Sequence, residues 1–279
     1  MGTLIIMNKD PFTHLIIGKA METHRALGPG LVEEFYHQEL VARLVESGVE
    51  HESKPRRDLV YRGHVADTFE PDLVFPKRLI PELKALRGEF HPSHFTQLFT
   101  YQKFWGIPTG MLFDFGKASL VFKRVAYTPV AANFPSVIVP NVVEKGDFAR
   151  ALLNLLQRTF VDHGLGYPET TWNGLVSAAL RAEDIAHRVD PMARITDLGV
   201  AALRCIEIEK ICALSITALG DGVSAADRAT LETCLRWLGL LWGIAIHFGR
   251  RSVDVCFVVA PCGKGFPQTR DFVIEDLKA

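Results

Sequence analysis

The stretch Glu70-Pro71-Asp72-Leu73-Val74-Phe75, followed by Glu82-Leu83-Lys84, decides how the first half of this chain folds. Both segments have the composition of strands, and we expect a hairpin turn near Pro76-Lys77-Arg78 to join them. Alternate residues of a strand point to the same face, so Glu82 and Lys84 emerge side by side and the hairpin brings Asp72 next to them. Two carboxylates and one ammonium around one point are what a divalent-metal hydrolase needs.

The composition of the 279 residues indicates an ordinary soluble globular protein of one large domain or two smaller ones, with 48% apolar and 23% charged residues. A net charge of −1 excludes a protein that is basic overall, so nucleic-acid binding would need a local patch. No signal peptide and no long uninterrupted apolar run is found, which predicts a cytoplasmic protein without a membrane partner.

The five cysteines all lie in the second half, and no two are spaced as C-x-x-C: Cys205, Cys212, Cys234, Cys256 and Cys262. We expect reduced, buried thiols that act as small apolar side chains. The alternative is an iron–sulfur cluster held by four of them.

Apolar periodicity predicts an α-α-β-β-β-α-β-β order in the first half, which is a mixed α/β layer. The expected helices are Pro11–Leu27, Val32–Glu46 and Ser93–Phe104. The expected strands are Glu50–Tyr61, Val65–Phe75, Arg78–Leu83, Thr109–Phe115 and Ser119–Val125.

The second half repeats short motifs of the first in the same order and at a nearly constant offset. Gly164-Leu165-Gly166 corresponds to Gly28-Pro29-Gly30, Gly239 to Gly106, and Phe248-Gly249 to Phe115-Gly116. Such self-similarity predicts a duplicated domain. We expect a first domain over residues 1–128, a linker over 129–145 and a second domain over 146–279.

The segment Ala20–Tyr36, with Gly30, Glu33 and Tyr36 at its named positions, resembles the signature of the GxxExxY proteins in the PD-(D/E)xK nuclease-like superfamily. Pro71-Asp72 and Glu82-Leu83-Lys84 fill the PD and ExK positions, and the resemblance extends over about Pro11 to Tyr127. It implies an α/β fold of two tandem restriction-endonuclease-like domains, each a central mixed β-sheet flanked by helices. Pro81 departs from the family pattern and predicts that its strand lies at a sheet edge or is kinked.

The resemblance implies that Mg²⁺ or Mn²⁺ is held by Asp72, Glu82 and the Leu83 carbonyl, while Lys84 activates water or faces the phosphate. Glu33 either adds a carboxylate to the metal or stabilises the start of its helix. Gln97 and Tyr101 match the Q-x-x-x-Y pattern of RecB-like members, and their spacing places both on one helical face. Further candidates for contacts with nucleic acid are His24, Arg57, Arg87 and Lys103.

The second copy lacks this catalytic set, since Cys205, Ser215 and Thr217 stand where Asp72, Glu82 and Lys84 stand in the first. It is therefore expected to be a pseudo-nuclease that pairs with the first copy as an intrachain pseudo-dimer, with a further homo-oligomer or protein partner as an open alternative.

The leading hypothesis is a metal-dependent nuclease acting on DNA, with one active site in the first half. The alternative is a non-catalytic nucleic-acid-binding or protein-assembly module that keeps the fold. A phosphodiesterase for a nucleotide second messenger is a third hypothesis. Strandedness, polarity and endonuclease or exonuclease action stay open.

Overall fold

The computed structural model describes residues 10–260, which form a mixed α/β protein. Its residues divide into two compact units. The first contains the chain up to Ala132 together with Gly164–Ala178, and the second contains Asn133–His163 and the residues from Ala179 onward. The expected boundaries at 128 and 145 stay a prediction, and in this division the segment Gly164–Ala178 belongs to the first unit.

The first unit contains three helices whose ends follow from local sequence: α1 Pro11–Leu27, α2 Glu33–Glu46 and α3 Pro92–Trp105. Asp10 caps α1, because its carboxylate accepts hydrogen bonds from the backbone N–H groups of Phe12 and Thr13. Gly106, at φ 65° and ψ 27°, ends α3 in the left-handed conformation that glycine adopts without steric cost. All three predicted helices are present, to within one residue at each end.

Among the described residues of the first unit there are seven short strands: β1 Glu52–Ser53, β2 Arg57–Tyr61, β3 His64–Phe69, β4 Leu73–Val74, β5 Ile80–Lys84, β6 Thr109–Asp114 and β7 Val121–Ala126. They pair as β1-β4, β2-β3 and β5-β6-β7. In the last sheet β5 runs parallel to β6, and β6 runs antiparallel to β7. The unit therefore has a mixed sheet with two smaller strand pairs.

Two predicted strands are each divided in the structure. Glu50–Tyr61 separates into β1 and β2 at Lys54, which has a positive φ of 45°. Val65–Phe75 separates into β3 and β4 at Pro71 and Asp72. Proline cannot donate a ladder hydrogen bond, and the Asp72 side chain turns to accept one from Leu83 N at 2.7 Å.

The turn at Pro76-Lys77-Arg78 is present, and the bridge between Phe75 and Leu79 closes it. Strand β5 lies at one edge of its three-stranded sheet, so Pro81 occupies an edge strand as expected. The core of this unit packs α1 and α2 against β4, β5 and β6, with Ile16, Tyr36, Leu40, Leu83 and Phe113 among its fully buried side chains.

The second unit contains α4 Gly146–His163, α6 Ala225–Leu238 and a five-stranded sheet in the order β14-β13-β12-β11-β8. The strands of this sheet are β8 His187–Val189, β11 Ile206–Ile208, β12 Cys212–Ala218, β13 Trp242–Phe248 and β14 Val253–Val259. Strands β9 Met192–Arg194 and β10 Val200–Ala202 form a separate pair. Helix α5 Glu169–Ala182 begins in the first unit and ends in the second.

The four cysteines that the structure describes are free thiols, of which Cys205, Cys212 and Cys234 are buried. This agrees with their expected role as small apolar side chains; Cys262 lies outside the described residues. No helix within residues 10–260 has the length and apolar character needed to span a membrane.

Candidate active site

The hairpin between β4 and β5 brings Asp72, Glu82 and Lys84 together, as the sequence spacing predicted. Lys84 Nζ lies 2.8 Å from Glu82 Oε1, and Leu83 N donates to Asp72 Oδ2 at 2.7 Å. Glu33, from the first turn of α2, adds a third carboxylate with its Oε2 at 4.0 Å from Lys84 Nζ. One ammonium thus faces three carboxylates.

The excess negative charge of this cluster is visible in its pKa values. Burial, reinforced by the Asp72 carboxylate and opposed by Lys84, raises the pKa of Glu82 to about 8. Burial also raises the pKa of Glu33, again with Asp72 adding to the shift. Burial lowers the pKa of Lys84, but Glu82, Glu33 and Asp72 together outweigh it, so that the pKa rises and the side chain stays an ammonium. The cluster favours binding a proton or another cation.

The side chains present fit a divalent ion. Glu82 is 2% exposed, and its Oε2 is buried without a hydrogen-bond partner, so a bound cation could replace the proton that the raised pKa places on this carboxyl group. No three His, Cys, Asp or Glu side chains of residues 10–260 form a complete metal cage by themselves. Mg²⁺ commonly binds through one or two carboxylates and keeps several waters, so a pair of carboxylates such as Asp72 and Glu82 is compatible with such a site. The Leu83 carbonyl stays a predicted ligand.

The residues Gly30, Glu33 and Tyr36 have different structural roles. Gly30 has a φ of 102°, which requires glycine in the turn before α2. Tyr36 is fully buried; its hydroxyl donates to Gly28 O at 2.7 Å and accepts from Leu31 N at 3.2 Å. This hydroxyl fixes the turn that presents Glu33 toward Lys84.

Two supports of Asp72 were missed by the sequence reasoning. His37, which is 5% exposed, donates from Nε2 to Asp72 O at 3.1 Å, and Lys54 N donates to the same oxygen at 3.0 Å. His37 follows Glu33 by four residues and so lies on the same face of α2, a spacing from which its role could have been inferred.

Asp114 is a further missed support, and it holds the loop after β5. Asp114, at 1% exposure, accepts through Oδ1 from Leu86 N and Gly116 N, both at 2.9 Å. Lys117 Nζ donates to the carbonyls of residues 86–88, at 2.6 Å to Gly88 O. A Cβ at Gly116 would lie 2.3 Å from Leu86 O, so the turn after β6 needs glycine for this close approach.

Helix α3 places Gln97 and Tyr101 beside each other, because Gln97 Nε2 donates to the Tyr101 hydroxyl at 3.0 Å. That hydroxyl donates in turn to Glu70 O at 3.3 Å, just before Asp72 in the chain. Burial raises the pKa of Tyr101 to about 12, with the Glu82 carboxylate as the next cause. The pair therefore borders the carboxylate cluster.

The other predicted nucleic-acid contacts lie in varied surroundings. His24 is 6% exposed, and its Nε2 contacts Lys117 O at 2.8 Å. Lys103 donates to Leu165 O at 2.6 Å and lies over the ring of Tyr167. Arg57 pairs with Glu52 at 2.7 Å, whereas Arg87 is exposed in the loop after β5. Of these four, Arg87 alone is directed to solvent without a described side-chain partner.

The positions of the second unit that the predicted repeat aligns with this cluster carry different chemistry. Ser215 and Thr217 lie on β12, and Thr217 Oγ1 lies 2.8 Å from His247 Nδ1 on the parallel neighbour β13. Cys205 is buried in the core near Cys234. These positions contain none of the carboxylate–lysine arrangement of the first unit.

Residues 10–125 match the family model of the PD-(D/E)XK nuclease superfamily. The match covers less than half of the 279 residues, and it contains Asp72, Glu82 and Lys84 together with their supports from α2 and β6. No curated protein and no solved structure matches this chain. The nuclease-superfamily match therefore covers the part of the molecule that contains the carboxylate cluster.

Proposed function

We propose that this chain is a metal-dependent nuclease of the GxxExxY type, which hydrolyses phosphodiester bonds of nucleic acid, with DNA as the favoured substrate. The observation that carries the proposal is the buried Glu82 Oε2. This oxygen lies in the cluster with Asp72 and Lys84 and has no hydrogen-bond partner, since Lys84 donates to Oε1. The nuclease-superfamily match over residues 10–125 supports it.

Each residue of the cluster has a role in this chemistry. Asp72 and Glu82 would hold Mg²⁺ or Mn²⁺, which when bound supplies hydroxide near neutral pH and charge stabilisation at the phosphoryl oxygens. Lys84 keeps its proton and directs an ammonium at the developing negative charge. Gln97 orients the Tyr101 hydroxyl at the border of the site, and Glu33 adjusts the position of Lys84 through their ion pair.

The second half is proposed to be a degenerate copy of the same domain, with the copies at residues 1–128 and 146–279. The register of β12 against β13 supports this, since Ala213 pairs with Gly243 as Ile80 pairs with Gly110. Helices α3 and α6 both have 14 residues, and both end at a left-handed glycine, Gly106 or Gly239. Association of the copies as a pseudo-dimer, and any further partner, belong to the same proposal.

The activity is tested with the purified full chain, single- and double-stranded DNA and RNA, and Mg²⁺ or Mn²⁺. We expect cleavage by the wild type and a loss of about 10²–10³-fold in kcat for Lys84→Ala, as for removal of one charge-stabilising donor. Arg228→Ala, which removes an exposed charge from α6, is the matched control. Absence of cleavage by the wild type, or equal cleavage by Lys84→Ala, would contradict the proposal.

A non-catalytic nucleic-acid-binding or assembly module is the second candidate, and the changed residues of the second copy favour it for that half. Titration with Mn²⁺ separates the candidates. Binding that disappears in Asp72→Asn and Glu82→Gln supports the nuclease, whereas its absence in the wild type supports the binding module.

A further inference from the structure

An open cavity of about 300 Å³ lies in the first unit, and its wall includes Gln97 and Tyr101, which border the carboxylate cluster. Strand β3 supplies Asp67 and Phe69 to its wall, α3 supplies Thr96, Gln97 and Tyr101, and the first turn of α5 supplies Thr170. Its volume is at the lower end of the range of about 300–1,000 Å³ for small-molecule sites, which suits one compact ligand group.

The cavity adjoins the proposed site of hydrolysis through Gln97 and Tyr101. These two side chains are joined by a 3.0 Å hydrogen bond, and the Tyr101 hydroxyl donates to the carbonyl of Glu70, two residues before Asp72. A group in the cavity would therefore belong to the same substrate as the phosphate at Asp72 and Glu82.

The charge of the lining argues against a phosphate. Neither lysine nor arginine is among the residues that line the cavity, and Asp67 adds a carboxylate to it. The Asp67 oxygens accept from Thr68 N at 2.8 Å and from Thr171 Oγ1 at 2.5 Å, which holds this carboxylate in place and leaves it acceptor capacity. An anionic ligand would be repelled here.

The remaining wall suits a neutral aromatic group with hydrogen-bonding edges. Within the described residues, the hydroxyls of Thr96 and Thr170 have no hydrogen-bond partner, and both groups can donate and accept. Phe69 and Tyr101 add aromatic rings to the wall, at 6.2 Å between their centroids. Proteins recognise unpaired bases through this combination of aromatic rings and polar groups at the base edges.

We propose that this cavity receives one unpaired nucleobase adjacent to the scissile phosphate, and that the substrate is accordingly single-stranded at the cleavage point. The inference rests on the proposed nuclease function and adds strandedness to it. A base paired within a duplex has its edge occupied by its partner, and it would have to leave the helix before it could enter.

The first test compares cleavage of one oligonucleotide as a single strand, as a duplex, and with an abasic position at the cut. We expect kcat/KM to fall about tenfold or more for the duplex and for the abasic strand, the loss expected when one base contact is removed. Equal cleavage of the three substrates would overturn the proposal.

The second test fills the cavity. Thr170→Trp introduces a large ring at an exposed position of its rim, and Thr233→Trp on α6 is a matched exposed control. We expect Thr170→Trp alone to lower single-strand kcat/KM about tenfold. Mn²⁺ binding and hydrolysis of bis(p-nitrophenyl) phosphate, which has no base, should stay at wild-type values. Thr96→Val, which removes one hydroxyl at nearly constant volume, should give a smaller loss of the same kind.

A binding measurement separates failure of this inference from failure of the nuclease. An oligonucleotide containing 2-aminopurine is added to the full chain in EDTA, and its fluorescence is followed. A change with wild type that Thr170→Trp abolishes supports the cavity even if no substrate is cleaved. If Thr170→Trp and Thr233→Trp cleave the substrate equally and give equal fluorescence changes, the nuclease function stands and the base site is refuted.

Discussion

At the scale of single residues, Glu82 determines how the metal-free protein responds to pH. Its side chain is buried beside Asp72, and its pKa is raised from 4.5 to about 8. Between these values the native state binds more protons at this position than the unfolded state does. The free energy of unfolding should therefore decrease as pH rises from about 4.5 to about 8.

The substitution Glu82→Gln removes this titration and should flatten that decrease. Urea unfolding in EDTA at pH 5 and pH 8 measures the effect, and Glu46→Gln at the exposed end of α2 is the control that should keep the wild-type slope. If Glu82→Gln and wild type lose the same stability over this window, the buried carboxylate does not dominate the pH response.

The hydroxyl of Tyr36 is a second single-group determinant. Tyr36→Phe keeps the ring stacked on Phe115 at 4.7 Å but leaves Gly28 O and Leu31 N without their shared partner. We expect a loss of about 1–3 kcal/mol in the free energy of unfolding and a lower kcat, since Glu33 follows this turn. Unchanged urea unfolding would show that water replaces the hydroxyl.

At the scale of elements, the turn after β6 depends on a close approach between two backbone segments. A Cβ at Gly116 would lie 2.6 Å from Leu86 N and nearer still to Leu86 O, so Gly116→Ala must displace the loop after β5. We expect a loss of about 2 kcal/mol or more in stability and reduced cleavage, because Lys84 lies directly before that loop.

Gly18→Ala is the matched control for this substitution. Gly18 lies within α1, and nothing lies within 4 Å of the Cβ that alanine would add. Alanine should be neutral or stabilising there by up to about 1 kcal/mol. Thermal unfolding of both variants tests this. If Gly116→Ala were the more stable of the two, the close approach of Gly116 to Leu86 would not require glycine.

The helices could be predicted from the sequence because their signals are local. Asp10 before α1 and Gly106 after α3 are capping residues whose effect needs no distant partner. The division of Val65–Phe75 was not predictable in this way, since Asp72 leaves the strand to meet Leu83 N, a contact that depends on the completed hairpin.

The candidate site was predictable to a similar degree. Spacing within strands placed Glu82 beside Lys84, and the resemblance placed Glu33 and Gln97 near them. His37 and Asp114 act on the site through backbone atoms of Asp72, Leu86 and Gly116. Such contacts with main-chain atoms have no residue-type pattern, and only the position of His37 on the same face of α2 as Glu33 pointed to one of them.

At the scale of the whole molecule, the difference between the two halves predicts how much metal the chain binds. Calorimetric titration with Mn²⁺ should show a site in the first unit that Asp72→Asn removes. Ser215→Ala, at the position that the proposed duplication aligns with Glu82, should leave this site intact. Saturating Mn²⁺ should raise the melting temperature of wild type and of Ser215→Ala, because the ion binds the native state. A Mn²⁺ effect that depends on Ser215 would contradict this division of roles.

Each unit contains a glycine enclosed by a leucine of the neighbouring helix. A Cβ at Gly110 would lie 2.9 Å from the Leu98 side chain, and one at Gly243 would lie 3.2 Å from that of Leu231. The same close packing of a strand glycine against a helix leucine is therefore found in both units, although their ionisable groups differ. On the proposed duplication, the second half has kept the packing of the domain and has lost the carboxylates and the lysine of the site. Introducing Cys205→Asp, Ser215→Glu and Thr217→Lys together, followed by titration with Mn²⁺, would test whether this shared packing is enough to support a metal site in the second unit.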